Sequence, residues 1–302
     1  MSIESMVVNI TARGIETYMS RLVPPEARKL VEAKQMDHEV FTDPIMTYCH
    51  ILGYGKYESV DSRYERDDND YSIFRILEPF SVPEAAGSLV GAVSAVVGGE
   101  HAVTYKEVSP GLYEFITTWT EYPEVLVERL KPTPHRHRDG DIELHRCPSC
   151  GAPTALSEFK WFLDRGLIVS KHTGRRMAIL GPELLDVVFG ALETELGETI
   201  PNVVVEAQRR FVKTGFYSID EVSNEGDFRV QLALRGMGNL REISMGPRGL
   251  HLRVDSAAGY LLTVGMVQGL FEMALDVDSR VEWELSESGD LEVEVKPQAV
   301  ME

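Results

Sequence analysis

Two of the three cysteines stand two residues apart in Cys147-Pro148-Ser149-Cys150-Gly151. Proline and glycine shape a tight turn in which backbone N–H groups point at sulfur, and thiolates at this spacing can take adjacent corners of a Zn²⁺ tetrahedron. A structural zinc site takes four ligands, and the chain has no second Cys-x-x-Cys. The candidates to complete it are His135, His137 and His145 upstream, His172 downstream and distant Cys49. His137 and His145 are the most convenient, because Arg138–Leu144 could fold back as a short strand. The expected ligand set is therefore Cys147, Cys150, His137 and His145. The zinc would be structural, since no nearby residue suggests a general base facing an open coordination position. Two alternatives stay open. A redox dithiol belongs at a strand-to-helix junction, whereas linker-like residues precede Cys147. A knuckle can also keep its turn without metal.

Other chemistry-bearing patterns are sparse. There is no Gly-x-Ser-x-Gly elbow, no His-Glu-x-x-His and no Gly-x-x-x-x-Gly-Lys phosphate loop. Neither Gly-x-Gly (Gly53 and Gly55, Gly236 and Gly238) continues to a third glycine. The pairs Glu193/Glu195 and Glu282/Glu284 read as solvated faces rather than acid–base dyads. His101 and His251 read as ordinary. His50, beside Cys49 on an apolar helix, reads as a core histidine with its hydrogen bonds made.

The elements that must position these groups come in two similar runs. Ile15, Tyr18, Met19 and Leu22 have the spacing of an amphipathic helix, and Pro24-Pro25-Glu26 opens a second one. Gly53 to Tyr57 leads into a strand, Asp67–Asp70 interrupts it, and Tyr71–Leu77 is a further strand. Pro83–Val97 is a buried helix stopped by Gly98 and Gly99. Ala102–Val108 and Leu112–Thr118 form a hairpin around Ser109-Pro110-Gly111. From about Arg175 the order recurs: a helix through Leu184–Leu196, one over Val203–Lys213, and a glycine-marked strand at Gly236–Leu240. The strand Leu250–Val254, an apolar helix Ala257–Leu275 and the hairpin Arg280–Leu285/Leu291–Lys296 complete it. Gly55 and Gly238 lie 183 residues apart, and Gly111 and Gly289 lie 178 apart. A repeat of this length changes the fold expectation. The expected class is α/β (α+β), with two related domains, each an antiparallel sheet packed with helices. The first spans 1–130 and the second 171–302. A linker with the Cys-x-x-Cys knuckle occupies 131–170.

The 302 residues carry 30 Lys and Arg against 48 Asp and Glu, a formal charge of −18. A surface so negative repels phosphate backbones, so nucleic acid is not an expected partner. No run of about 18 apolar residues suggests a membrane span. The opening MSIESMVVNITARGIE lacks a basic region followed by an apolar one, so no signal peptide is expected. Three cysteines do not make a disulfide framework, and a cytoplasmic location is expected.

The stretches Arg175–Asp186, Glu206–Arg209, Gly259–Leu275 and Val281–Val293 resemble the 4-vinyl reductase, or hydrocarbon-binding, domain family. Gly53–Gly55, Leu89–Val97 and Gly111–Phe115 repeat the pattern more faintly. The resemblance implies an α/β fold shared with haem-based nitric-oxide sensors, and a module that holds a hydrophobic small molecule. Many members carry cysteines in the last hairpin. Here those places hold Leu285, Ser286 and Leu291, and Glu107 and Tyr113 in the first half, so no hairpin metal site is implied. Tyr71-Ser72-Ile73-Phe74-Arg75 departs from the haem-sensor Tyr-x-Ser-x-Arg, so haem is not carried over, nor is reductase activity.

The expected function is binding of a hydrophobic small molecule without turnover, as a sensor or accessory module. The apolar helices Ala85–Val97 and Tyr260–Met273 would enclose the cavity, the alternative being a plain dry core. A different class, an enzyme or accessory subunit with its site between the halves, is the second reading. A protein partner or a homodimer is compatible with either.

Overall fold

The computed structural model describes residues 3–121, 138–216 and 225–298. They fall into two compact units, one drawn from Met1–Thr133 and Ser157–Ala191, the other from Pro134–Leu156 and Leu192–Glu302. Each is a mixed α+β unit built on an antiparallel sheet, as the sequence patterns require.

The first unit begins with α1 (Ile3–Leu22), α2 (Pro25–Glu32) and α3 (Glu39–Leu52). Next come β1 (Lys56–Arg63), β2 (Tyr71–Leu77), α4 (Val82–Val97), β3 (Glu100–Ser109) and β4 (Leu112–Thr120). The sheet order is β1-β2-β4-β3. On β2, Ser72, Phe74 and Ile76 face inward while Arg75 faces solvent, the alternation of a half-buried strand. Phe74 lies opposite Phe115 of β4, and both join Tyr57, Leu89 and Val93 in the core. Helix α4 starts where the Ser81 hydroxyl accepts the Glu84 N–H and proline occupies the first turn, and it stops at Gly98. Gly87 and Gly91 let α4 lie directly on α1. A methyl group at either would press into the carbonyl of Val8 or Ala12.

A small antiparallel sheet completes this unit: β5 (Phe159–Phe162), β6 (Leu167–Ser170) and β7 (Arg176–Met177). The sequence patterns grouped Phe159–Ser170 with the knuckle and suggested no strands there. The segment is instead anchored to the first unit. The Arg176 guanidinium donates to the carbonyls of Gly53 (3.1 Å), Glu78 (2.7 Å) and Pro79 (3.3 Å). Gly53 ends α3 with φ 84°, and the space a side chain would need is taken by the Met177 carbonyl and Ile168. Both demands select glycine there.

The remaining elements are α5 (Pro182–Leu196), α6 (Ile200–Phe211), α7 (Glu225–Leu234), β8 (Asn239–Gly246) and β9 (Gly249–Asp255). They continue with α8 (Tyr260–Leu275), β10 (Ser279–Leu285) and β11 (Leu291–Pro297). Helix α7 is not among the elements expected from the sequence pattern. The second sheet runs β8-β9-β11-β10, the same order of first, second, fourth and third strand as in the first unit. Each sheet has a register shift in its first strand, at Ser59/Asp61 and at Leu240/Glu242. Gly265 and Gly269 of α8 lie on the carbonyls of Val205 and Arg209 in α6, just as Gly87 and Gly91 lie on Val8 and Ala12. Leu291, Val293 and Val295 point inward from β11 while Glu292 and Glu294 face solvent.

Candidate functional site

A cavity of about 330 Å³ lies in the first unit, between the inner face of its sheet and α1, α3 and α4. Helix α4 supplies Leu89, Ala92, Val93 and Val96, whose i, i+3, i+4, i+7 spacing makes one apolar stripe. Helix α1 adds Ile15 and Met19, and α3 adds Ile45, Met46 and Cys49. Tyr57 and Phe74 form the sheet wall, and Ile179 and Leu180, after β7, also line the space. Methionine side chains adapt to an irregular ligand outline.

Polar groups line the space as well, Arg21 of α1 among them. His38 Nε2 lies 3.2 Å from the Ser62 hydroxyl, and the Tyr64 hydroxyl bonds to that of Ser72. All four residues line the cavity. Burial pushes the Cys49 thiol up to about 12 and the Tyr64 phenol up to about 12. It raises Tyr54 and Tyr57 as well. These groups are therefore neutral at physiological pH, and the walls they form suit an apolar guest. His50 is held away from such a role: its Nε2 accepts the Tyr57 N–H at 2.8 Å. The core reading of this residue agrees with that contact.

The second unit presents different chemistry at the matching place on its long helix. In the first unit the Ser94 hydroxyl lies 3.1 Å from His101 Nδ1. In the second, Glu272 and Ser279 hold the positions at the same 178-residue interval from the chain's earlier copy. Glu272 Oε1 accepts the Ser279 N–H (3.0 Å) and hydroxyl (2.9 Å). Its other oxygen takes Arg209 at 2.5 Å and Lys213 at 2.7 Å. The Glu272 side chain is 0% exposed. Burial alone would push its carboxyl up; Lys213, Ser279 and Arg209 together hold it below its ordinary value.

The Cys-x-x-Cys segment forms the tight turn that its proline and glycine suggest. The Cys147 N–H donates to the Ala152 carbonyl and the Gly151 N–H to the Cys147 carbonyl, both at 2.8 Å. Backbone N–H groups of Cys150 and Ser149 aimed at the Cys147 sulfur hold its thiol below the usual value. Both cysteines are free. Among the described residues no group of three or more His, Cys, Asp or Glu side chains converges as a metal site. Among the described residues the turn thus offers two thiols of the kind that bind zinc, with no further ligand gathered around them. His135 and His137 lie outside the described residues. The His145 carbonyl accepts the Thr154 N–H at 2.8 Å, and His172 pairs with Glu158. Arg138–Leu144 forms no strand. Asp141 instead accepts from Arg229 and Asn239, which holds its carboxyl down to about 2.

No protein-family profile matches this chain. None of the curated proteins matches it either. Solved structures that align with part of it include H-NOX proteins. One, solved to probe haem distortion, has a TM-score of 0.29 and 13% identity, covering 43% of this chain and 79% of its own. A single-residue variant of the T. tengcongensis H-NOX gives 0.28 and 11%, covering 43% and 80%. An oxygen-binding H-NOX domain related to soluble guanylate cyclases gives 0.25 and 14%, covering 41% and 74%. Superpositions this loose transfer neither a ligand nor a role.

Of the two apolar helices expected from sequence to wall a cavity, α4 does so. The polar lining was not expected, although its signal was present: Ser59 and Ser62 on β1, Tyr64 just after it and Ser72 on β2 are polar side chains where a sealed core would carry aliphatic ones. Glu282 and Glu284 are exposed on β10, consistent with their reading as a solvated face. Among the described residues no helix is long and apolar enough to cross a membrane.

Proposed function

We propose that the first unit binds a hydrophobic small molecule without transforming it, as a sensor or accessory module. The observation that carries this reading is the apolar chamber of about 330 Å³, a volume within the usual range for small-molecule pockets, roughly 300–1,000 Å³. The Cys49, Tyr54, Tyr57 and Tyr64 side chains in its walls are neutral, Arg21 is a cation among the lining residues, and the Cys49 thiol is too poor an acid to serve as a nucleophile. The resemblance to hydrocarbon-binding domains supports the same reading. The shared strand order and glycine-on-carbonyl helix packing support treating the two units as repeats of one plan.

The turn at Cys147 and Cys150 is proposed as half of a structural zinc knuckle, with the remaining ligands drawn from histidines such as His137 or His145. Its backbone donors favour thiolate, the form that binds metal. Native mass spectrometry of freshly purified protein tests both proposals in one spectrum. The expected result is an organic mass bound to the chain, and a zinc mass that disappears in Cys147→Ser/Cys150→Ser. A bare apoprotein mass contradicts both.

A further inference from the structure

The apolar chamber adjoins a second recess of about 670 Å³, and the two share His38, Tyr64 and Val97 in their walls. His38 and Tyr64 meet edge to face with ring centroids 4.6 Å apart. Each ring is steadied by a strand serine, His38 by Ser62 and Tyr64 by Ser72. The two rings therefore stand where one space gives way to the other, and neither belongs to the sealed core.

The recess has the opposite chemistry. Its walls carry the carboxylates Glu32, Asp37, Asp67, Asp68 and Asp70 against the cations Lys34 and Arg66. Lys34 is already paired with Glu65, and Arg63 binds Asp67 and Asp70. Counting those partners too, carboxylates remain in excess. Trp119 adds a ring face at the rim, 45% exposed. An anionic group here faces net repulsion, which weakens little with screening because the space is partly enclosed. A hydroxyl finds carboxylate acceptors, and an ammonium finds carboxylates and aromatic faces.

The geometry points to a non-acidic amphiphile as the ligand: an apolar body in the inner chamber, and a hydroxyl or amine end passing His38 and Tyr64 into the acidic recess. This rests on the reading of the inner chamber as a binding site. His38 and Tyr64 are then the specificity-determining residues, because they stand where the apolar part must end.

The test is displacement of the neutral dye Nile red from the full-length chain by three ten-carbon probes below their micelle concentrations: 1-decanol, decyltrimethylammonium and decanoate. The alcohol and the ammonium are expected to displace the dye at concentrations about tenfold or more below decanoate, the size of one repelled charge in a partly buried site. Tyr64→Ala is expected to narrow that gap, while Tyr64→Phe, which keeps the ring, preserves most of it. Circular dichroism checks that both variants are folded; if Tyr64→Ala is not, His38→Ala replaces it. Equal displacement by all three probes overturns the inference and leaves the binding reading standing. So does a preference for decanoate, or a gap unchanged in folded Tyr64→Ala. Failure of wild-type protein to bind Nile red at all counts against the chamber as a binding site, a separate failure.

Discussion

Cys49 and Cys147 show how position alone divides one residue type into two chemistries. Cys49 is buried on α3 among apolar side chains, and its thiol is pushed up to about 12. Cys147 sits in a turn whose N–H groups lower it. Against an ordinary thiol at 9.0, a value near 12 leaves roughly a thousandfold less thiolate at a given pH. With a chelator present, Cys147 and Cys150 are expected to react rapidly with a thiol reagent at pH 8 and Cys49 far more slowly; peptide mapping of the labelled sites checks this, and equal labelling of all three contradicts the burial of Cys49. Glu272 makes the corresponding point for charge. Arg209 keeps its pair with Glu206 and Lys213 is partly exposed, so Glu272→Gln is expected to cost about 1–3 kcal/mol, the scale of a lost charged hydrogen-bond acceptor, read by denaturant unfolding. Its carboxyl lies below the ordinary 4.5 in the folded chain. The stability it contributes is therefore complete above about pH 4.5 and is lost as pH falls toward the folded value. The variant is expected to flatten that acid limb; an unchanged limb contradicts the assignment.

At the scale of elements, the two glycine pairs set how closely a helix can approach its neighbour. Gly91 lies against the Ala12 carbonyl and Gly269 against that of Arg209. Added volume at such a contact forces the backbones apart, typically at about 1–3 kcal/mol. Gly91→Ala and Gly269→Ala are each expected to lower the unfolding free energy by about that much despite alanine's better helix propensity; a stabilised variant contradicts the close crossing. These elements were largely legible in the sequence. Tyr71–Leu77 alternates cleanly, Pro83–Val97 has a proline start and a glycine stop, and both hairpins carry turn glycines. What escaped was structure set by contacts distant in sequence. Phe159–Ser170 is held by the β6 and β7 pairings and by Arg176 reaching Gly53 and Glu78, none of which is visible in local periodicity. Helix α7 has only a weak apolar stripe, with Phe228 and Leu232 buried.

For the molecule as a whole, the sequence suggested the class of site before its contents. The apolar surplus of α4 indicated a cavity or a dry core, and the choice between them depends on what faces the helix. Ile15 and Met19 come from a helix some seventy residues earlier, and Ile179 and Leu180 from a segment about ninety residues later. Only the fold brings them together around α4. The −18 charge likewise gave no hint that carboxylates gather beside the chamber. The most direct test of the binding account fills the space and leaves the rest of the unit intact. Ala92 lines the chamber from α4, and Ala92→Trp would occupy much of it. In a Nile red titration monitored alongside circular dichroism, wild-type protein is expected to bind the dye saturably, and folded Ala92→Trp to lose at least about tenfold in affinity, the effect of denying a ligand its apolar contact area. Undiminished dye binding by the folded variant would contradict the account.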